Sequence, residues 1–286
     1  MKLTELFSQK KPMLSFEVFP PKATSGYESV KSAVEEIAKL SPDYMSVTYG
    51  AGGGTSVFTS DIASNITKSF GVTSLAHLTC VSSDRKTVSE QIEILKKNGI
   101  ENILALRGDK KEGFLNGEFS YAAELIAEIK SHGDFCIGGA CYPEGHTESK
   151  NQKEDIMHLK EKVEAGCEFL TTQMFFDNNI LYNFLYKIRD AGINVPVVAG
   201  IMPVTNSKQI KRICSLSGTV LPRRFISIVD TFGDDETKMA YAGIAYATEQ
   251  IIDLYANGVN AVHIYSMNKP YVAKKITENL KNILGK

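Results

Sequence analysis

The stretch Asn102-Ile103-Leu104-Ala105-Leu106-Arg107-Gly108-Asp109 decides how the rest of the chain is read. Its apolar run is too short for a helix and ends abruptly in Arg, Gly and Asp. That is the pattern of a buried parallel strand delivering charge at its C-terminal end, where an α/β protein keeps its chemistry. Taken alone, the stretch is equally a strand followed by an ordinary polar turn. It does not stand alone.

Working outward, the same pattern recurs on both sides. Leu14 to Phe19 reads as a strand closed by Pro20-Pro21, which continue neither a ladder nor a helix. It carries Glu17, either an exposed strand residue or a working acid, because an unpaired buried carboxylate is costly. Tyr27 to Leu40 has helical spacing, Tyr44 to Tyr49 is a second strand, and Gly50 to Gly54 is a glycine-rich turn without a dinucleotide or P-loop fingerprint. A helix from Phe58 to Phe70, a strand from Ser74 to Thr79 carrying His77, and a helix from Val88 to Lys97 lead into the opening stretch.

Beyond it come a helix, Ser120 to Ser131, a strand of small residues, Phe135 to Tyr142, and an amphipathic helix, Lys150 to Ala165, with Asp155 and Lys162 on one face. Strand Phe169 to Met174 carries Gln173, helix Asn178 to Ala191 follows, and strand Val195 to Ile201 ends at Met202-Pro203. Then the rhythm loosens into two short helices, from Ser207 and after Pro222, and a long one from Asp234 to Ala256. Strand Val259 to Tyr265 and helix Tyr271 to Leu284 close the chain.

Strand ends recur in steps of roughly 30 residues, the size of a βα unit, and the last step is about twice as long. This predicts a (β/α)₈ TIM barrel with extra helices before the last strand, one domain over residues 1–286. An open doubly wound sheet is the alternative, disfavoured because no dinucleotide fingerprint follows the first strand.

Composition narrows the function classes. With 286 residues, 43% of them hydrophobic, the chain can bury a barrel-sized core. Its net charge of −1, without long runs of one sign, argues against nucleic-acid and membrane-surface partners. The scattered Cys80, Cys136, Cys141, Cys167 and Cys214 lack the spacing of a metal site or a disulfide framework. Neither a signal peptide nor an 18-residue apolar run is present, so a cytoplasmic protein is expected, with small-molecule partners and copies of itself.

In a barrel, Glu17, Thr48, Tyr49, His77, Arg107, Asp109, Tyr142, His146 and Gln173 converge on one rim. The set holds acids, cations and hydrogen-bonding groups without a Ser-His-Asp or Cys-His nucleophile, which suits binding a polar planar ligand and moving a proton or hydride. The motifs Ser15-Phe16-Glu17-Val18-Phe19-Pro20-Pro21-Lys22, Val47-Thr48-Tyr49-Gly50-Ala51-Gly52-Gly53, His77-Leu78-Thr79-Cys80 and Leu106-Arg107-Gly108-Asp109 resemble those of methylenetetrahydrofolate reductases in their bacterial single-domain form. So do Tyr142-Pro143-Glu144-Gly145-His146, Thr172-Gln173-Met174-Phe175-Phe176-Asp177 and Gly200-Ile201-Met202-Pro203, in the same order over nearly the whole chain.

The resemblance implies a barrel with non-covalent FAD that uses NADH or NADPH to reduce 5,10-methylenetetrahydrofolate to 5-methyltetrahydrofolate, in one-carbon metabolism and methionine supply. It implies Glu17 as general acid and Asp109 as the carboxylate between flavin and pterin. Tyr49, Ala51, His77, Arg107, Gly108, Tyr121, Ala122, Tyr142, His146, Asp155 and Lys162 match flavin-contacting positions, and Thr48 a nicotinamide-side contact. Gln173, Gln209 and Lys269 match substrate positions. Two residues depart from the pattern. Lys269 replaces an Arg that meets the folate glutamate tail, keeping the charge without the bidentate fork, and Ile213 replaces a Phe that stacks on the bound rings. The rival readings are a flavin-free pterin-binding methyltransferase barrel and a flavin-binding scaffold without catalysis.

Overall fold

A computed structural model describes residues 1–49, 56–81, 83–109 and 117–285, with backbone alone at 56, 57, 211 and 216. Glycine-rich 50–55, with the expected flavin contact Ala51, lies outside the described residues. Helix α1 (Leu3–Phe7) precedes β1 (Met13–Val18), α2 (Tyr27–Ala38), β2 (Tyr44–Val47), α3 (Ser56–Phe70), β3 (Thr73–Thr79), α4 (Arg85–Lys97) and β4 (Asn102–Leu106). The alternation continues through α5 (Ala122–His132), β5 (Cys136–Cys141), α6 (Gln152–Glu164), β6 (Phe169–Thr172), α7 (Asn178–Asp190) and β7 (Val197–Ile201). Helices α8 (Ser207–Ser217), α9 (Arg223–Phe232) and α10 (Glu236–Ala256) then precede β8 (Ala261–Tyr265) and α11 (Pro270–Leu284).

Among the described residues the eight strands are all parallel, each pairs with the next, and β1 pairs with β8 to close the barrel. Closure excludes the open doubly wound sheet. The extra helices before the last strand are as expected. Strand and helix limits shift by a few residues, and the helical N-terminal segment α1 was not anticipated.

Period-two alternation explains how this sequence fills both sides of the sheet. Phe16, Val18, Met45, Val47, Leu78, Ile103, Ala105, Ile201 and Ile264 point outward into the main core, where they meet helix residues such as Ile37, Ile66, Ile92, Leu125 and Ile276. Met13, Tyr44, Leu75, Leu104, Cys136, Phe169 and Val198 form a second cluster with Leu3 and Leu6 of α1. That helix therefore plugs the N-terminal end of the barrel. It is anchored by the Leu3 amide donating to Asn102 Oδ1 at 2.8 Å, so polar chemistry is left to the opposite mouth. A third cluster, with Met174, Phe176, Phe225 and Met239, holds α8 and α9 over the ends of β6 and β7.

Candidate functional site

The interior residues of β1, β2, β3 and β8 build a polar layer beneath the mouth. His263 is buried with Ser15 Oγ at 2.7 Å from Nδ1 and Ser46 Oγ at 2.9 Å from Nε2. Ser15 spends its one hydroxyl proton on Val262 O at 3.0 Å, so it must accept from Nδ1–H while Nε2 accepts from Ser46. The ring of Tyr44 stacks on this imidazole at 5.5 Å. Burial pushes His263 down to about 3, so it is neutral at physiological pH.

Glu17 projects into this layer from the end of β1, with its side chain one-fifth exposed and His77 Nε2 3.7 Å from Oε2. That gap is too long for a hydrogen bond. Desolvation raises Glu17 to about 8 and lowers His77 to about 3. Both groups are therefore predominantly uncharged near pH 7, and the contact is not an ion pair. Buried His77 Nε2 has no hydrogen-bond partner among the described residues. Tyr265, in register with Glu17 across the seam, donates its hydroxyl to Thr172 O at 2.6 Å. It lies so close to Gly200 that a Cβ there would sit 2.5 Å from the phenol oxygen, which explains that glycine.

The opening stretch supplies the next part of the rim. Gly108 has φ of +87°, a conformation L side chains rarely adopt, and a Cβ there would crowd Thr79 Cβ at 3.1 Å. Asp109 beyond it is exposed. Arg107 is committed to a bidentate pair with Glu148, at 2.8 and 2.5 Å, and that carboxylate holds its guanidinium above the usual range. Its fork thus already grips an anionic group of the chain itself.

Strand β5 delivers Tyr142, whose ring meets His146 edge-on at 4.5 Å and whose phenol is pushed up to about 12 by burial. His146 Nδ1 accepts the Glu148 amide at 3.1 Å, which leaves Nε2 as the N–H of the neutral ring. From α6, buried Asp155 accepts the His146 amide at 3.3 Å, and desolvation raises its carboxyl. Lys162, two turns along, donates to Ala140 O at 2.8 Å, and burial lowers its ammonium. Asp155 and Lys162 fall on one inward face, as their spacing predicts.

The remaining expected residues are spread more widely. Thr48 and Tyr49 are half-buried after β2, and the Thr48 amide donates to Val18 O at 2.9 Å. Gln173 is half-buried and turns its side-chain oxygen onto the Met174 amide at 2.9 Å. Ala122 is buried, whereas Tyr121 lies further out on the same rim, exposed and stacked on His158 at 6.1 Å. Gln209 is exposed in the first turn of α8, and Ile213 packs into the cluster beneath that helix. Lys269 Nζ donates to Thr205 Oγ1 at 2.7 Å, bridging the β8 and β7 ends.

Sequence reading missed His263 and Glu148. His263 was within reach of the alternation Ala261, His263, Tyr265 on one strand face. Glu148 carries no comparable signal, because its partner lies 41 residues away.

A family model for methylenetetrahydrofolate reductase matches residues 2–281. The chain is similar to the 5,10-methylenetetrahydrofolate reductase of Escherichia coli strain K12, 33% identical over 267 residues that cover 93% of this chain and 90% of that protein. It is 35% identical over 271 residues to the Buchnera aphidicola protein of the same description, covering 95% and 91%. Methylenetetrahydrofolate reductase (NADH) 1 of Arabidopsis thaliana is 33% identical over 98% of this chain but only 50% of its own length. The chain spans about half the length of the plant and yeast relatives it matches. Among solved structures, a Clostridium thermocellum protein described as binding two copies of 5-methyl-5,6,7,8-tetrahydrofolic acid superposes with a TM-score of 0.67 at 14% identity, covering 100% and 99% of the two chains. That likeness is one of fold.

Proposed function

The chain belongs to the methylenetetrahydrofolate reductase family, and we propose from this that it reduces 5,10-methylenetetrahydrofolate to 5-methyltetrahydrofolate. The proposed electron carrier is non-covalent FAD, and the donor NADH or NADPH. The single observation that carries the reading is Glu17, a carboxyl raised to about 8 at the mouth of a closed barrel, which holds a proton at neutral pH.

The rim chemistry fits a flavin. His77 offers an unpaired buried ring nitrogen, His146 a ring N–H, and Lys162 the ammonium protons left beyond its bond to Ala140 O, while Arg107 is suited to phosphate once a ligand anion takes the place of Glu148 on its fork. When bound, that group would supply the hydride. Tyr49, Ala51, Tyr121, Ala122, Tyr142 and Asp155 are the further positions proposed to hold it, with Thr48 on the nicotinamide side.

The chain's own part in the reaction is proton placement and charge stabilisation. Glu17 donates its proton to a bridging nitrogen of the folate, and the carbon–nitrogen bond to that nitrogen breaks. The one-carbon unit is then left as a cationic iminium on the other nitrogen. Asp109 stabilises that cation with its negative charge, Gln173 and Gln209 bond the pterin side, and Lys269 meets the glutamate tail as a point charge. Hydride addition to the iminium carbon completes the methyl group.

The test is optical. Purified protein should be yellow, release all its colour on acid precipitation, bleach anaerobically with NADH or NADPH, and regain colour on adding the folate. Colourless protein would favour a flavin-free pterin barrel, and yellow protein inert to donor and folate would favour a scaffold.

A further inference from the structure

The β1–β8 ladder ends at the register pair Glu17 and Tyr265, yet the two chains stay joined beyond it through side chains. Ser266 Oγ donates to Glu17 O at 2.5 Å. Two residues on, Asn268 Oδ1 accepts from the Phe19 amide at 3.0 Å, and its Nδ2 donates to Phe19 O at 2.8 Å. One carboxamide thus satisfies both main-chain groups of Phe19, as a neighbouring strand would. Pro20 and Pro21 follow and have no amide N–H to extend the ladder. On the other flank, Val18 O accepts the Thr48 amide at 2.9 Å. The segment carrying the acid is held from both sides.

The turn that presents Asn268 is conformationally uncommon. Met267 and Asn268 have φ of +53° and +51°, two successive non-glycine residues in the left-handed region. Such a pair persists only where the surroundings over-determine it. The surroundings here are the Phe19 contacts on one side, and on the other Lys269, whose amide donates to Ser266 O at 3.0 Å and whose ammonium reaches Thr205.

We propose that Asn268 is a positioning residue: its carboxamide clamps Phe19 and so fixes the end of β1, setting Glu17 against the reacting nitrogen while the same turn aims Lys269. The inference rests on the functional reading above. The groups that bear on Glu17 come from three strands, His77 of β3, Tyr265 of β8 and Tyr44 of β2. Loosening the clamp moves the carboxyl relative to all three and admits water.

The test uses flavin-loaded protein and two variants. Asn268→Gly tolerates the positive φ and removes the carboxamide, so the turn is kept without the clamp. Ser266→Ala removes only the bond to Glu17 O and serves if the first variant folds poorly. Expected for Asn268→Gly is a loss of about 10- to 100-fold in the maximal rate of reoxidation by the folate, as for a small misplacement of a reacting group. Reduction by the nicotinamide donor should stay near wild type. The pH at which folate reoxidation fails should move below that of wild type, and Ser266→Ala should shift both quantities less in the same direction. A purely structural role would lower flavin content and thermal midpoint without moving the pH profile. That result, or folate kinetics like wild type in both variants, overturns the inference alone. Wild-type protein that the folate does not reoxidise overturns the functional reading and the inference with it.

Discussion

Glu17 Oε2 and His77 Nε2 stand 3.7 Å apart, and the pair is uncharged. The same desolvation pushes the carboxyl up to about 8 and the imidazole down to about 3. A protonated histidine at that distance would pull the carboxyl proton off. Neutral His77 leaves it in place near neutral pH.

Glu17→Gln keeps size and polarity but has no acidic proton. It should bleach with the donor at nearly the wild-type rate and then be reoxidised by the folate about 10²–10⁴-fold more slowly. In wild type the folate step should decline as pH rises through about 8, the value at which Glu17 loses its proton. Stopped-flow absorbance across that range checks both. Equal loss in the two half-reactions would remove Glu17 as the acid.

The same substitution should alter stability. A carboxyl whose pKa is raised on folding stabilises the protein relatively below its unfolded value of about 4.5, and that advantage is lost as pH rises towards about 8. His77 and His263, depressed on folding, act in the opposite sense between about 6.5 and 3. Glu17→Gln should therefore be more stable than wild type at pH 7, by up to about 3 kcal/mol, with a flatter pH dependence between about pH 4.5 and 8. Urea unfolding at several pH values measures this. A variant less stable than wild type at pH 7 would contradict the burial argument.

Asp109→Asn removes the exposed rim charge after Gly108. Folate reduction should slow because the developing cation loses its partner, while the protein stays yellow. Retention of full speed in the folate half-reaction would count against the role.

Lys269→Ala removes the ammonium that bridges to Thr205. The folate concentration needed for half-maximal rate should rise severalfold, with donor kinetics unchanged. A change confined to the donor half-reaction would reassign the residue to another subsite.

Gly108→Ala adds a methyl where φ is +87° and Thr79 Cβ and Val81 Cγ1 would lie at 3.1 and 3.3 Å. The cost should be about 1–3 kcal/mol of stability, with weaker flavin retention on dilution. Thermal unfolding and the flavin content after gel filtration read the two effects separately.

By itself the sequence determined the alternation of strands and helices, the excursion before the last strand, and which strand ends carry polar groups. Those features are local: period-two and helical spacing are written within ten or fifteen residues, as in β4 and in α6 with Asp155 and Lys162 on one face. Only the tertiary structure decided closure of β1 on β8, the plugging of the barrel floor by α1, and the commitment of Arg107 to Glu148. It also decided the protonation states of Glu17, His77 and His263, because desolvation is set by what surrounds a group in space. The clamp of Asn268 on Phe19 joins residues 249 apart. No local pattern encodes such a contact, since it exists only once the first and last strands lie side by side.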